Sequence, residues 1–199
     1  LLSGEHVSSD VAIVDGVPCW WRHARGLASG DGTFDHWEIR ADSEPEVEQW
    51  CGAWCRRHLA GFTGMINLET IGARIIEVHL RFADQWPDLY GPGWVEALIR
   101  LYAKREWTFD DSQRRTGYSI VLFAPHGPRY RHPPADLKRE VAAMPGVSSL
   151  QITFHPDLAP DRHAMPPGGF RVAIVNCWER KAGDAARDRL RAHFETARA

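Results

Sequence analysis

Lysine is scarce in this chain: there are three against 21 arginines, and none precedes Lys104. Long apolar runs are missing too. No stretch approaches the roughly 18 to 20 residues of a membrane-spanning helix, and no basic segment followed by an apolar one opens the chain, so neither anchor nor secretory signal is expected. Net charge is small: 24 Lys+Arg against 26 Asp+Glu give -2, so no global field draws the protein to nucleic acid or to an anionic membrane. Any charge-based function is therefore local, and a soluble cytoplasmic protein with neither partner is the expectation. The four cysteines, Cys19, Cys51, Cys55 and Cys177, lack the paired C-x-x-C spacing of structural zinc sites and read as small buried hydrophobes. Four histidines, His126, His132, His155 and His163, fall in proline-rich loops at no ligand spacing. No Ser-His-Asp or Cys-His pattern stands out.

What is present suffices for a core: 44% of 199 residues are apolar, enough for one ordinary domain or two small ones. Ser9 to Val14 and VPCWWRHA flank Asp15-Gly16, a hairpin signal. The glycine-rich GLASGDGT reads as a loop and DHWEIRA as a strand. Ser43 and Glu46 form a capping-box pattern before a helix from about Glu44 to Leu59, with Val47, Trp50, Cys51, Trp54, Cys55 and His58 on its buried stripe. A second helix spans about Trp94 to Glu106, with Val95, Leu98, Leu101 and Tyr102 on one face. The polar, aperiodic TFDDSQRR divides the chain into residues 1–110 and a smaller β-rich unit, 111–199. There GYSIVLFAP, VSSLQITF and FRVAIVNCWE read as strands. ADLKREVAAM and a last helix from Asp184 onward, with Ala186, Leu190, Phe194 and Ala197 on one stripe, complete it. Strands and helices mix without strict alternation, which favours an α+β fold with a mainly antiparallel sheet and packed helices.

The stretch NLETIGARIIEVHLRF, Asn67 to Phe82, reads as a hairpin carrying an unusual set of polar groups. Side chains alternate faces along a strand, so Ile76, Val78, Leu80 and Phe82 are expected on one face, and Glu77, His79 and Arg81 on the other. A two-residue loop at Gly72-Ala73 would pair Glu69 with Ile76. A three-residue loop of Gly72, Ala73 and Arg74 instead pairs Glu69 with Glu77, Asn67 with His79 and Ile66 with Leu80, sorting every residue by polarity. The odd-length loop is therefore predicted. It sets two carboxylates opposite each other with Cβ atoms roughly 4.5 to 5.5 Å apart, which is repulsive when both are ionised. Two carboxylates with an amide or imidazole on a rigid sheet suit Mg²⁺ or Mn²⁺. The same pattern also fits a solvent-facing hairpin with weak surface pairs.

The strand Glu77-Val78-His79-Leu80-Arg81 resembles the E-x-N-x-R strand of ATP-grasp ligases. Gly64-Met65-Ile66-Asn67-Leu68-Glu69 is similar to the strand that carries their other metal-binding acidic or amide residue. Ser3 to Asp10 resembles the strand after the adenine-binding hinge, and PGVSSLQITF and PPGGFRVAIVNC look like the small C-terminal domain of biotin carboxylase and L-amino-acid ligases. The resemblance implies the C-terminal part of an ATP-grasp domain followed by that small domain. It implies ATP and Mg²⁺ (or Mn²⁺) as cofactors, with Glu69, Glu77 and His79 as metal ligands and Arg81 holding the transferred phosphoryl group. Trp21-Arg22-His23-Ala24-Arg25 looks like the basic strand near the phosphates, which would give His23 and Arg25 phosphate contacts; an ordinary solvated strand end fits the same residues.

The implied reaction is ATP-dependent ligation of a small-molecule carboxylate to an amine or similar nucleophile through an acyl phosphate. A non-catalytic nucleotide- or partner-binding domain on the same scaffold is the alternative, and a homodimer is compatible with either. His79 stands where the family has asparagine, and an imidazole suits Mn²⁺ or a softer metal better than Mg²⁺. The family's ATP-binding lysines belong to a half preceding the hinge. The lack of lysine before Lys104 therefore leads to the expectation that this half is missing and that the isolated chain does not turn over.

Overall fold

The computed structural model describes residues 2–159, 162, 163 and 166–196. Among them are eight β-strands and four α-helices, an α+β fold. They fall into two compact units: residues 1–26 with 39–116, and 27–38 with 117–199. The glycine-rich loop and β3 (Phe34–Ile39) thus go almost wholly with the second unit.

In the first unit the strand order is β5-β4-β1-β2, with β1 at His6–Val14, β2 at Val17–Ala28, β4 at Gly64–Ile71 and β5 at Arg74–His79. Each neighbouring pair is antiparallel. Asp15 and Gly16 both have positive φ, as the Asp-Gly hairpin signal requires. One face of this sheet packs on α1 (Pro45–His58), where Val11, Ile13, Ile66 and Leu68 meet Val47, Cys51 and Cys55. Burial pushes the thiols of Cys51 and Cys55 up to about 12 and about 11, so they behave as apolar groups. Three placements fail here: Cys19 is exposed, His58 at the end of α1 is exposed, and Trp50 turns outward at 40% exposure, with the Arg74 guanidinium over its ring. The helix also starts without a side-chain cap.

The other face carries an aromatic cluster of Trp20, Phe82, Tyr90, Trp94, Trp107 and Phe109. It is supplied by α2 (Trp94–Lys104) and its flanking segments. The buried stripe of α2 is Trp94, Ala97 and Leu101, while Val95 and Tyr102 are exposed. Trp94 heads this stripe with its ring against Trp20, Phe82 and Tyr90, which rotates the stripe from the one the spacing suggested. The aperiodic TFDDSQRR is tied down by charge: Asp111 accepts from Trp20 Nε1 at 2.7 Å and from Arg22 at 2.9 Å, and also pairs with Arg114.

In the second unit the order is β3-β6-β8-β7, with β6 at Gly117–Ala124, β7 at Val147–Ile152 and β8 at Phe170–Cys177. Helices α3 (Ala135–Ala142) and α4 (Arg180–Thr196) belong to it. The predicted stripe Ala186, Leu190, Phe194 is buried; Ala197 lies outside the described residues. The helix begins at Arg180, four residues earlier than expected, where Arg180 reaches Asp184 at i,i+4.

Candidate functional site

The β4-β5 hairpin closes through a two-residue turn, with Gly72 and Ala73 both at positive φ and Ile71 paired with Arg74. The predicted three-residue loop is absent, yet the predicted register holds: Glu69 opposes Glu77, Leu68 opposes Val78 and Asn67 opposes His79. A β-bulge reconciles the two. The register shifts between Glu69 and Thr70, so Thr70 opposes Ile75 and Ile76 is the extra residue. Ile75 therefore takes the half-buried place against α1, and Ile76 is exposed. Leu80, beyond the end of β5, is also exposed rather than paired with Ile66, and Phe82 packs on Trp94. The tight turn needs Gly72, since a Cβ there would lie 2.3 Å from the Ser3 carbonyl oxygen.

Because Leu68 and Ile66 face α1, Asn67 and Glu69 face the other way. Ser8 opposes Glu69 and Asp10 opposes Asn67 across β1, so one face collects Ser8, Asp10, Asn67, Glu69, Glu77 and His79. One ligand atom from each of Glu69, Glu77 and His79 lies within 4.8 Å of the other two. His6 Nε2 is 2.9 Å from Glu69 Oε2, and His79 Nε2 is 3.3 Å from Glu77 Oε1. The bond from His6 holds the Glu69 carboxyl below its ordinary range against the opposing effect of burial, aided by charge on His6, His79 and Arg81. These groups relieve the carboxylate repulsion that parity imposes. Two carboxylates and an imidazole within reach of a common point fit a divalent cation, with the imidazole favouring Mn²⁺ over Mg²⁺.

Arg81 follows β5 and donates to the Phe82 carbonyl at 3.0 Å. Its charge acts on both Glu69 and Asp10. His23 and Arg25 are not brought to the cluster. They pair in register with Ser9 and Val7, whose side chains alternate to the α1 side. The His23 ring is fully buried between Ser9 Oγ at 2.8 Å and Glu48 Oε1 at 3.0 Å, and Arg25 pairs with Glu5 at 2.7 Å. The phosphate contacts expected of these two residues have no support in this arrangement, because parity sends both side chains through the sheet.

Sequence reasoning missed His6, Ser8 and Asp10. Their signal is the polar alternation at i, i+2, i+4 in β1, visible only once β1 is known to lie beside β4. Burial pushes the Asp10 carboxyl up to about 6, against the lowering effect of bonds from Tyr90, Ala83 and Asn67 and of charge on Arg81. On the same face, Arg22 is 1% exposed and lies 5.7 Å from the Tyr90 ring centre.

No family model matches the sequence, and no curated protein does. Among solved structures, an L-amino acid ligase from Bacillus licheniformis matches with a TM-score of 0.63 at 12% identity, over 97% of this chain and 54% of that one. This is an ATP-grasp fold. A second ATP-grasp structure, N5-carboxyaminoimidazole ribonucleotide synthetase from Thermus thermophilus, matches at 0.56 and 15% identity, over 97% and 51%. The biotin carboxylase domain of Hydrogenobacter thermophilus 2-oxoglutarate carboxylase, solved with MgADP and bicarbonate, matches at 0.52 and 14%, over 98% and 46%. The chain thus spans about half the length of these ATP-grasp structures. No helix among the described residues is long and apolar enough to cross a membrane.

Proposed function

We propose that the chain contributes the metal-binding face of an ATP-dependent carboxylate ligase, with Glu69, Glu77 and His79 holding a divalent cation against ATP phosphates. The observation that carries this reading is the convergence of those three side chains on one face of a bulge-fixed hairpin within an ATP-grasp fold. In the reaction a substrate carboxylate oxygen attacks the γ-phosphorus and ADP leaves. An amine or similar nucleophile then attacks the acyl carbon and inorganic phosphate departs, with the amine proton lost to solvent. Mg²⁺ or Mn²⁺, when bound, neutralises phosphate charge and orients the phosphates. The carboxylates of Glu69 and Glu77 fix where that charge sits, and the bulged hairpin keeps them there without reorganisation. In this reading the Arg81 guanidinium, just past the strand end, would release the Phe82 carbonyl and hold the transferring phosphoryl group.

One observation favours a second reading, a nucleotide- or partner-binding domain without catalysis: His79 is already engaged with Glu77 and supplies nitrogen rather than amide oxygen. Titrating the protein with Mn²⁺ and Mg·ATP separates the readings when each is followed by an assay for phosphate release. Binding without carboxylate-dependent release supports the second. Absence of binding by the wild type refutes the first reading and the nucleotide-binding form of the second.

A further inference from the structure

Beside the cluster, on the same face, lies a carboxylate that the proposed reaction does not use. Asp10 is 1% exposed. Its Oδ1 accepts from Asn67 Nδ2 at 2.8 Å and from the Ala83 amide at 2.9 Å. Its Oδ2 accepts from the same amide at 3.0 Å and from the Tyr90 hydroxyl. Asn67 Nδ2 donates a second time, to Ser8 Oγ at 2.9 Å. An asparagine amide nitrogen has two hydrogens, and both acceptors here belong to β1. Strand β4 is flanked by β1 on one side and β5 on the other. With its nitrogen committed to β1, the Asn67 carbonyl oxygen is turned away from that strand, toward the side on which its cross-strand partner is His79. The flipped amide would set oxygen against the Asp10 carboxylate and forfeit that bond, whereas the Ser8 hydroxyl can donate or accept, so Asp10 determines the orientation.

We propose that Asp10 is a positioning residue for the cation site. It holds Asn67 with its amide oxygen toward the Glu69, Glu77 and His79 cluster, and through the Ala83 amide it fixes the chain two residues beyond Arg81. This rests on the reading of the cluster as a cation site and goes beyond it, assigning the orientation of two neighbouring groups to a residue that touches neither cation nor phosphate. An oxygen already aimed at a cation needs no reorganisation on binding, whereas a freely rotating amide presents its amino group part of the time. Ser8, a neutral acceptor for the same nitrogen, shares the task with smaller effect. Tyr90 does not, because removing its hydroxyl leaves Asn67 both acceptors.

The test titrates the whole chain with Mn²⁺, by electron paramagnetic resonance, for wild type, Asp10→Ala, Ser8→Ala and Tyr90→Phe. Thermal unfolding and the side-chain amide resonances of Asn67 are recorded for each. Asp10→Ala, which removes the acceptor, is expected to weaken Mn²⁺ binding about tenfold or more, Ser8→Ala less, and Tyr90→Phe not at all even where it lowers the melting temperature. The Asn67 amide protons should be slowly exchanging in wild type and lose that protection in Asp10→Ala. Unchanged Mn²⁺ affinity in Asp10→Ala overturns the proposal. So does a loss in Tyr90→Phe matching that of Asp10→Ala, which would make the effect one of stability alone. If Asp10→Ala does not fold, Asp10→Leu takes its place and is read in the same way. If wild type binds no Mn²⁺, the cation reading fails by itself, and the Asn67 resonances decide the orientation: protection equal in wild type and the Asp10 variant overturns it.

Discussion

Asp111 is where a single substitution should separate a fold held by charge burial from one held by apolar packing alone. Its carboxylate accepts from the Arg22 guanidinium, the Trp20 indole and Arg114. Arg22 is 1% exposed and Asp111 12%. Burial lowers the Arg22 pKa and Asp111 pulls it back up, so the guanidinium tolerates its position because the carboxylate is there. Asp111→Ala removes the counter-charge, strands three donors and leaves a buried cation, for which the loss is about 3–5 kcal/mol. In a chain of this size that lowers the melting temperature by about 6–20 °C. Asp111→Asn keeps an acceptor while losing the charge and should fall between wild type and Asp111→Ala. Urea unfolding followed by tryptophan fluorescence reports directly, since Trp20 and Trp107 lie in the affected cluster. A midpoint for Asp111→Ala within about 1 kcal/mol of wild type would refute the reasoning, showing that Arg22 finds water or another partner.

Two substitutions on opposite sides of the same packing layer should differ sharply. Leu68, 0% exposed, should cost about 2–5 kcal/mol as Leu68→Ala, whereas outward-facing Trp50→Ala should cost under about 1 kcal/mol; equal losses in chemical denaturation would contradict the assigned faces. In the second unit, burial raises the Asp35 carboxyl. Bonds from His36 and Arg187 and the charges of Arg187 and Arg180 outweigh it and hold the group below its ordinary value. A depressed folded-state pKa contributes stability that is present above the unfolded value, about 4, and lost as pH falls through the folded one. Unfolding curves from pH 7 to 2 should therefore show acid destabilisation that is smaller in Asp35→Asn, and parallel pH profiles would count against the cluster.

The fold class was legible because alternation and helical spacing are local. The site was legible in part for the same reason: sorting Asn67, Leu68 and Glu69 by polarity sufficed to place Glu69 opposite Glu77. The turn was not, because a bulge at Ile76 restores the parity that a two-residue loop breaks, and a period-two count cannot tell the two solutions apart. Trp50 and the stripe of α2 were misassigned because a tryptophan's size does not say which flank of a helix it takes. His23 and Arg25 drew notice as basic residues in a strand that resembled a phosphate-binding one. Their direction depends on the pairing of β2 with β1, which sends them to the α1 side. The network of Ser8, Asp10, Asn67 and Tyr90 joins residues up to 80 positions apart, and nothing short of the lateral strand order brings them together.

The proposed function stands on a divalent-cation site at Glu69, Glu77 and His79. Calorimetric titration of the protein with Mn²⁺ compares wild type with Glu77→Gln, a substitution that keeps the shape of an exposed side chain while removing one anionic ligand. Saturable binding by wild type that weakens at least tenfold in Glu77→Gln is expected. Equal affinity in the two proteins would contradict it.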